Sequence, residues 1–217
     1  MFIGHPAVGF ASKRAAPATN VGLLLGAAWL LDLLWPIFLL LGIEHVEIGP
    51  RGESPFLTLV FTDYPWSHSL LMTLVWSVLA GLAYWIVTRY ATGAIFIGLL
   101  VASHWVLDFI THRPDLPLWP GGPKVGLGLW SSAAGTIVVE SALFIIGVAI
   151  YVRMTRSRDR IGSIGFWGLI VFLIVAYIAR VMGPPPPNVQ SLAIVALAGF
   201  LLPLWGWWVD RRRVPAA

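Results

Sequence analysis

The segment SHWVLDFITH, residues 103–112, carries three ionisable residues at four-residue intervals, His104, Asp108 and His112. On an α-helix, residues four apart lie one turn above each other, so these side chains share one face. His nitrogens and carboxylate oxygens are the ligands of catalytic zinc and of similar divalent ions. The spacing therefore predicts that His104 and Asp108 bind a metal ion, with His112 one turn further along.

Further His and carboxylate residues stand in or beside apolar segments elsewhere in the chain: His5, Asp32, His68 and Glu140. A rise of about 1.5 Å per helical residue puts Asp32, His104 and Glu140 at a similar depth in the membrane. A charged group near the bilayer centre is costly, so it normally faces the interior of a helix bundle beside a partner. We therefore expect these two carboxylates and His104 to converge with Asp108 in one pocket. His68 is expected at the rim of that pocket.

The composition is typical of an integral membrane protein. Of the 217 residues, 58% are hydrophobic and 11% are charged, whereas about 25% are charged in a typical soluble domain. The 12 Trp and 5 Tyr residues suit the aromatic belts at the two membrane surfaces. The net charge of +4 arises from basic clusters beside hydrophobic segments, so the lipid bilayer, and not nucleic acid, is the expected partner. Without cysteine, any metal ion must be held by His and carboxylate groups.

Six segments are long and apolar enough to cross a bilayer, for which a helix needs about 20 residues. They are residues 21–43, 67–88, 93–112, 128–152, 164–182 and 189–209. The sequence therefore predicts an all-α fold, a polytopic transmembrane helical bundle that forms a single integral membrane domain over residues 1–217. Residues 1–152 would carry the site, with the pocket among the first four spans, and residues 153–217 would form a C-terminal helical hairpin. A short helix over residues 3–13 would bring His5 toward the pocket.

The distribution of Lys and Arg predicts the orientation, because cytoplasmic loops carry the excess of positive charge. With the N-terminus inside, most basic residues fall on the inner side: Lys13, Arg14, Arg89, Arg153, Arg156, Arg158, Arg160, Arg211, Arg212 and Arg213. Fewer fall on the outer side: Arg51, Arg113, Lys124 and Arg180. We therefore expect both termini in the cytoplasm. The pocket would open outward, beneath the loops over residues 44–66 and 113–127, with His45 outside it.

The order of the polar residues resembles that of the YdjM-like family of inner-membrane proteins, which are described as membrane-bound metal-dependent hydrolases. The resemblance covers residues 1–130 and rests on an N-terminal His, an Asp in the next apolar helix, the stretch WSHS, and SHWVLDFITH followed by a Pro- and Gly-rich loop. It implies a location in a bacterial-type inner (plasma) membrane. It also implies that the family's polar positions correspond to His5, Asp32, His68, His104 and Asp108. The chain departs from the family's Pro-Asp-x-Asp type of segment, since LLDLLWP contains one aspartate.

A divalent metal ion held by these residues would lower the pKa of a coordinated water, so that the water can attack at neutral pH. Zinc suits His and carboxylate ligands, with manganese and magnesium as alternatives. We therefore expect a metal-dependent hydrolase that acts on a membrane-associated lipid or phosphoester substrate. The expected metal ligands are His5, Asp32, His68, His104 and Asp108. Glu140, or Asp32 where it is not a ligand, would act as general base. The expected substrate contacts are His112, Arg113 and Lys124.

The same residues permit two other functions. A cation or proton transporter or channel would use the intramembrane His, Asp and Glu side chains as coordination or relay groups. Haem binding would require two histidines on facing helices, such as His68 and His104. The carboxylates of Asp108 and Glu140 would be poorly placed against a porphyrin, which makes haem the weaker of the two alternatives.

We predict that the basic segment 153–160 and the tail 210–213 face the cytoplasm, because their Arg residues dominate the positive charge. The chain has no cysteine of its own, so Ser157→Cys introduces a single reactive thiol. A membrane-impermeant thiol reagent is expected to leave this variant unlabelled in intact cells and to label it after lysis. Labelling in intact cells would reverse the orientation.

Overall fold

The computed structural model describes residues 1–50 and 54–216, so Arg51 lies outside the described residues. In chain order the helices are α1 (Gly4–Ser12), α2 (Val21–Ala28), α3 (Leu30–Leu40), α4 (Pro65–His68), α5 (Leu70–Thr88), α6 (Ala91–Thr111), α7 (Ala133–Met154), α8 (Arg160–Met182), α9 (Val189–Leu197) and α10 (Leu201–Asp210). The short strands are β1 (His45–Ile48), β2 (Leu59–Asp63), β3 (Leu116–Pro117), β4 (Lys124–Val125), β5 (Thr155–Ser157) and β6 (Arg213–Pro215). They form the antiparallel pairs β1–β2, β3–β4 and β5–β6. The predicted helical bundle is confirmed, with small two-stranded pairs in its connections.

Five helical segments of the described chain are long and apolar enough to cross a membrane. They are Leu70–Thr88, Ala91–Thr111, Ala133–Met154, Arg160–Met182 and Val189–Asp210, the last of which contains α9 and α10. The count rises to six if α2 and α3, which meet at an angle of 55°, cross as one broken span. The chain is thus a helical protein with the features of an integral membrane protein.

The first predicted span is wrong as a continuous helix. It was expected over residues 21–43, but α2 ends at Ala28, Trp29 leaves helical geometry (φ −104°, ψ 4°), and α3 begins at Leu30. The last carbonyl groups of a helix have no partner within the helix and must find one elsewhere. The break therefore makes the Ala28 carbonyl at the end of α2 available to another helix.

Side-chain caps decide where several other helices begin. The Ser69 hydroxyl accepts a hydrogen bond from the Met72 backbone N–H, and α5 therefore starts at Leu70 rather than at residue 67. The Ser132 hydroxyl accepts from Gly135 N–H in the same way, so α7 starts at residue 133 rather than 128. Such caps satisfy backbone donors that have no partner in the first helical turn. As a result, His68 lies in the separate short helix α4.

The connections divide between two ends of the bundle. At one end, the loop end, the Lys124 ammonium donates to the Thr62 carbonyl over 2.7 Å and Arg180 donates to the Pro55 carbonyl over 2.8 Å. These two hydrogen bonds join the described part of the loop 44–66 to the loop 113–127 and to the last turn of α8. At the opposite end, the basic end, β5 pairs with β6 beside the first turn of α8. The grouping agrees with the predicted alternation of the spans, while the side of the membrane that each end faces stays a prediction.

The C-terminal helices pack against the helices that precede them. A side chain at Gly22 in α2 would overlap the backbone of α10 at Pro203 and Trp207, so the two helices touch through their backbones. At the basic end, the Asp210 carboxylate accepts hydrogen bonds from the Lys13 ammonium and the Tyr151 hydroxyl, each over 2.7 Å. Asp210 thus ties α10 to both the N-terminal region and α7.

The predicted short helix over 3–13 is present as α1, and it lies buried within the bundle. His5 and Phe10 are completely buried. The close approach of α1 to α7 depends on Gly147, because a Cβ at this position would overlap the carbonyl oxygen of Ala7. A glycine in α7 therefore makes room for the helix that carries His5.

We predict that Gly147→Ala lowers the thermal stability, since the new methyl group would have to displace the backbone of α1. The matched control is Gly168→Ala, where a Cβ would meet the Trp205 ring at an ordinary contact distance of 3.4 Å. Thermal unfolding in detergent micelles measures the difference, and a Tm clearly lower for Gly147→Ala is expected. An equal Tm for the two variants would contradict the close packing of α1 on α7.

Candidate metal centre

Polar side chains from four helices meet in one buried group, here called the His/Asp cluster. Its members are His5 on α1, Asp32 on α3, His68 on α4, and His104 and Asp108 on α6. This is the set that the resemblance to the YdjM-like family implies. Within it, two groups of three residues each bring one ligand atom per residue to within 4.8 Å of the others. The groups are His68, His104 and Asp108, and His5, Asp32 and His104. Either group could hold a metal ion.

The two oxygens of Asp108 have different surroundings. Oδ1 lies 3.1 Å from His5 Nε2 and contacts the amino group of Met1. Oδ2 faces the Nε2 atoms of His104, His68 and His112, at 3.2, 3.8 and 3.9 Å. Ligand atoms of a tetrahedral zinc ion lie about 3.3 Å apart when each bond is about 2.0–2.1 Å. The separations around Oδ2 are therefore close to those of a metal-ligand set.

His104 has a defined proton position. Its Nδ1 lies 2.8 Å from the carbonyl oxygen of Ala28, and since a carbonyl can only accept, Nδ1 carries the hydrogen. In the neutral imidazole Nε2 then holds the lone pair, and this buried atom has no hydrogen-bond partner among the described residues. It faces the Asp108 carboxylate, which is also an acceptor, so a proton or a metal ion between them would satisfy both. A His that donates Nδ1–H to a backbone carbonyl is the usual form of a metal-binding histidine.

His5 lies against His104, with ring centroids 3.7 Å apart and the planes within 5° of parallel. Burial is the main cause that lowers the pKa of His5 to about 3. His5 is therefore neutral at physiological pH, which is the form that binds metal ions. Its Nε2 lies 3.0 Å from the Met1 nitrogen, so the Met1 amino group supplies the positive charge on this side of Asp108.

The relative positions of Asp32 and His68 differ from the prediction. His68 was expected at the rim, but it is 4% exposed, whereas 38% of the Asp32 side chain is exposed. The short helix α4 turns His68 inward, and Asp32 stands in the first turn of α3, just after the break. Asp32 Oδ1 lies 3.5 Å from His68 Nε2 and 3.8 Å from His104 Nε2. Asp32 thus forms the mouth of the cluster.

Glu140 lies beside the cluster and not within it. Its Oε2 accepts hydrogen bonds from the backbone N–H groups of Phe2, Ile3 and Gly4, at 2.8, 2.8 and 3.2 Å. These donors surround the start of α1, where backbone N–H groups have no helical partner and attract negative charge. Within residues 1–50 and 54–216, no hydrogen bond or ion pair joins Glu140 to a member of the His/Asp cluster. Glu140 thus holds the start of α1 beside the cluster, and its role as general base stays a prediction.

His112 adjoins the cluster and is held by two residues that the sequence did not single out as functional. Its Nδ1 lies 2.8 Å from Asp115 Oδ1, and the Tyr64 hydroxyl donates to the same oxygen over 3.3 Å. Burial and the negative charges of Asp115 and Asp108 raise the pKa of Tyr64, so its hydroxyl stays protonated. The available signal was the sequence HRPD, in which Asp115 follows His112 by three residues. This signal is weak, because an aspartate next to a proline is ordinary in a turn.

The predicted substrate contacts Arg113 and Lys124 lie at the loop end. Lys124 is exposed and Arg113 is half-buried. Among the described residues, no ion pair joins either side chain to the His/Asp cluster, so their role in substrate binding stays a prediction. His45 is exposed on β1, outside the cluster, as expected.

The geometry argues against haem. The rings of His68 and His104 have centroids 5.3 Å apart and stand at 72° to each other. Asp32 and Asp108 each lie within 4 Å of both Nε2 atoms. No space for a porphyrin remains between the two histidines.

Comparison with protein-family models, with curated proteins and with solved structures finds no match for this chain. The class of protein therefore rests on the fold and the site alone. The chain is a helical protein with the features of a membrane protein, and its buried His and Asp groups could hold a metal ion.

We predict that Glu140→Leu lowers the Tm more than Glu140→Gln does. Leucine leaves the backbone donors at the start of α1 without an acceptor, whereas the glutamine carbonyl can still accept from them. Thermal unfolding of both variants in micelles tests the assignment. Equal Tm values would contradict a capping role for Glu140 and return it to the list of candidate bases.

Proposed function

We propose that this chain is a membrane-embedded, metal-dependent hydrolase of the YdjM-like family, acting on a lipid or another membrane-associated phosphoester. The observation that carries the proposal is the arrangement around Asp108 Oδ2. Three imidazole Nε2 atoms face this oxygen within 3.9 Å, at a buried position on a helix long enough to cross a membrane. A carboxylate and several histidines at this depth are too costly to be explained by packing alone.

His68, His104 and Asp108 are the proposed ligands, with Asp32 and His5 completing the set from the mouth and from α1. Two nitrogens and one oxygen are the donor set of many catalytic zinc sites, in which a fourth position stays open. Manganese and magnesium are the alternatives, although magnesium prefers oxygen ligands alone. A divalent ion held there lowers the pKa of a bound water toward neutrality and polarises an ester or phosphoryl oxygen.

Proton transfer is assigned to His112 in place of Glu140. The hydrogen on Nδ1 is directed to Asp115 at 2.8 Å, which leaves Nε2 as an acceptor that faces the cluster 3.9 Å from Asp108 Oδ2. An imidazole oriented by a carboxylate is a typical general base. Asp32, the most exposed carboxylate of the cluster, is the second candidate for this role.

The position of the cluster supports a substrate that resides in or at the membrane. Two of its residues lie on α6, one of the membrane-spanning helices, and its exposed member Asp32 belongs to the broken span. The basic side chains of Arg113 and Lys124 at the loop end would neutralise an anionic head group. The inner-membrane location with both termini in the cytoplasm belongs to this proposal, and the collection of Arg residues at the basic end supports it.

Cation transport is a second candidate, favoured by the 55° break between α2 and α3. Transporters often place ion sites at such breaks in membrane helices, where carbonyl groups become available. Reconstitution into liposomes separates the two functions. Zinc or proton flux that is abolished by His104→Ala would favour transport, whereas metal binding without flux favours the hydrolase.

We predict that Asp108→Asn lowers zinc affinity by about tenfold to a hundredfold, because the amide keeps the shape but loses the charge of the shared ligand. His68→Ala is expected to do the same, and His5→Ala to have a smaller effect, since His5 contacts the other oxygen of Asp108. Isothermal titration of zinc into metal-stripped protein provides the measurement.

The matched control for this titration is Asp63→Asn, which changes an exposed aspartate on β2 in the same way. It should bind zinc like the wild type. If Asp108→Asn and Asp63→Asn bind equally, or if no variant binds, the metal-site proposal is wrong.

A further inference from the structure

We infer that Glu44, acting through the Ser67 hydroxyl, fixes His68 in the tautomer that carries its hydrogen on Nδ1, so that the Nε2 lone pair faces Asp32 and Asp108. Glu44 and Ser67 are thus positioning residues for the cluster. The placement of the proton follows from this chain's own contacts. The purpose given to it, the presentation of a metal ligand, rests on the proposed function.

The three residues form a continuous chain of short hydrogen bonds. Ser67 donates twice to the Glu44 carboxylate, from its backbone N–H to Oε1 over 2.7 Å and from its hydroxyl to Oε2 over 2.6 Å. The same hydroxyl oxygen lies 2.7 Å from His68 Nδ1. Both carboxylate oxygens of Glu44 are therefore engaged by one residue, whose hydroxyl also contacts the histidine.

The direction of the hydrogens follows from the chemistry of each group. A carboxylate only accepts, so the single hydrogen of the Ser67 hydroxyl points to Glu44. The hydroxyl oxygen can then only accept from His68, which requires the hydrogen on Nδ1. In the neutral imidazole, His68 Nε2 then holds the lone pair, 3.5 Å from Asp32 Oδ1 and 3.8 Å from Asp108 Oδ2.

The chain of hydrogen bonds is sealed from solvent. Glu44 is 1% exposed, Ser67 is completely buried and His68 is 4% exposed. Burial raises the pKa of the Glu44 carboxyl, and the hydrogen bonds from Ser67 oppose this effect by favouring the carboxylate. Within the described ranges 1–50 and 54–216, no ion pair involves Glu44. A buried carboxylate without a cationic partner is costly unless its hydrogen bonds are satisfied, and here a histidine of the cluster is joined to it.

The other two histidines that face Asp108 Oδ2 are held in the same way. His104 Nδ1 donates to the Ala28 carbonyl over 2.8 Å, and His112 Nδ1 lies 2.8 Å from Asp115 Oδ1. Each imidazole thus has an acceptor at Nδ1 and presents Nε2 to the same oxygen. For His68 the acceptor is the Ser67 hydroxyl, which could also donate a hydrogen bond to Nδ1. Glu44 prevents this, because it accepts the only hydrogen of that hydroxyl. Partners of this kind orient metal-binding histidines and raise their basicity.

The tautomer can be measured directly by nitrogen-15 solid-state NMR on full-length, metal-stripped protein in lipid bilayers, with labelled histidine. The chain has five histidines, and His68→Gln identifies the signals of His68. We expect a protonated Nδ1 in the wild type. Ser67→Ala and Glu44→Gln should shift His68 toward the Nε2–H tautomer, because alanine removes the acceptor and the glutamine amide can donate to Ser67.

Ser77→Ala is the matched control. Ser77 is also buried, but it lies on α5, where its hydroxyl donates to the Thr73 carbonyl and does not contact His68. This variant should leave the His68 tautomer unchanged. The His104 signals report in the same spectra whether each variant keeps the fold, since its Nδ1–H bond to Ala28 does not involve Ser67. A wild-type His68 with hydrogen on Nε2 alone, or an unchanged tautomer in both Ser67→Ala and Glu44→Gln, would overturn the inference.

Zinc titration of the same variants separates this inference from the proposed function. Loss of Ser67 or Glu44 should weaken zinc binding by about tenfold to a hundredfold, and Ser77→Ala should not. If the tautomers are as expected but the wild type binds no zinc, Glu44 still positions His68 and the metal function is wrong. If zinc binds to the wild type and to Ser67→Ala alike, the metal site stands and the positioning role is wrong.

Discussion

A carboxylate buried in a membrane helix must be surrounded by hydrogen-bond donors or positive charge, and Asp108 imposes this requirement on its surroundings. Its two oxygens satisfy this requirement through different partners. Oδ1 contacts His5 and the Met1 amino group, both of which α1 brings into the bundle. Oδ2 faces His68 on α4, His104 on α6 and His112, which directly follows α6. Each of these helices, α1, α4 and α6, thus provides a partner for the Asp108 carboxylate.

The irregular parts of the bundle are the parts that hold the cluster. The break after α2 supplies the Ala28 carbonyl that fixes His104, and the cap at Ser69 separates α4 from α5, so that His68 points inward. Glu140 accepts from the backbone at the start of α1 and so holds His5 in place. Regular transmembrane helices could not provide these contacts, because their backbone groups are already paired within the helix.

The sequence predicted the elements that depend on local pattern. The length of the apolar segments predicted the spanning helices, and the similar depth of Asp32 and His104 predicted that these two side chains lie close together. The sequence did not predict the break at Trp29, because no glycine or proline stands at that position. It did not predict the contact of Glu140 with α1 either, because Glu140 lies far from α1 in the chain. The role of Glu44 could not be predicted either, because a lone carboxylate in a loop is ordinary unless it is known to be buried.

The proposed function requires that His104 and its neighbours hold a divalent metal ion. The most direct test is elemental analysis of the wild-type protein and of His104→Ala, both purified in the native membrane environment without added metal. We expect a stoichiometric amount of a divalent ion, zinc first, in the wild type and its loss in His104→Ala. The same metal content in both proteins, or none in either, would contradict it.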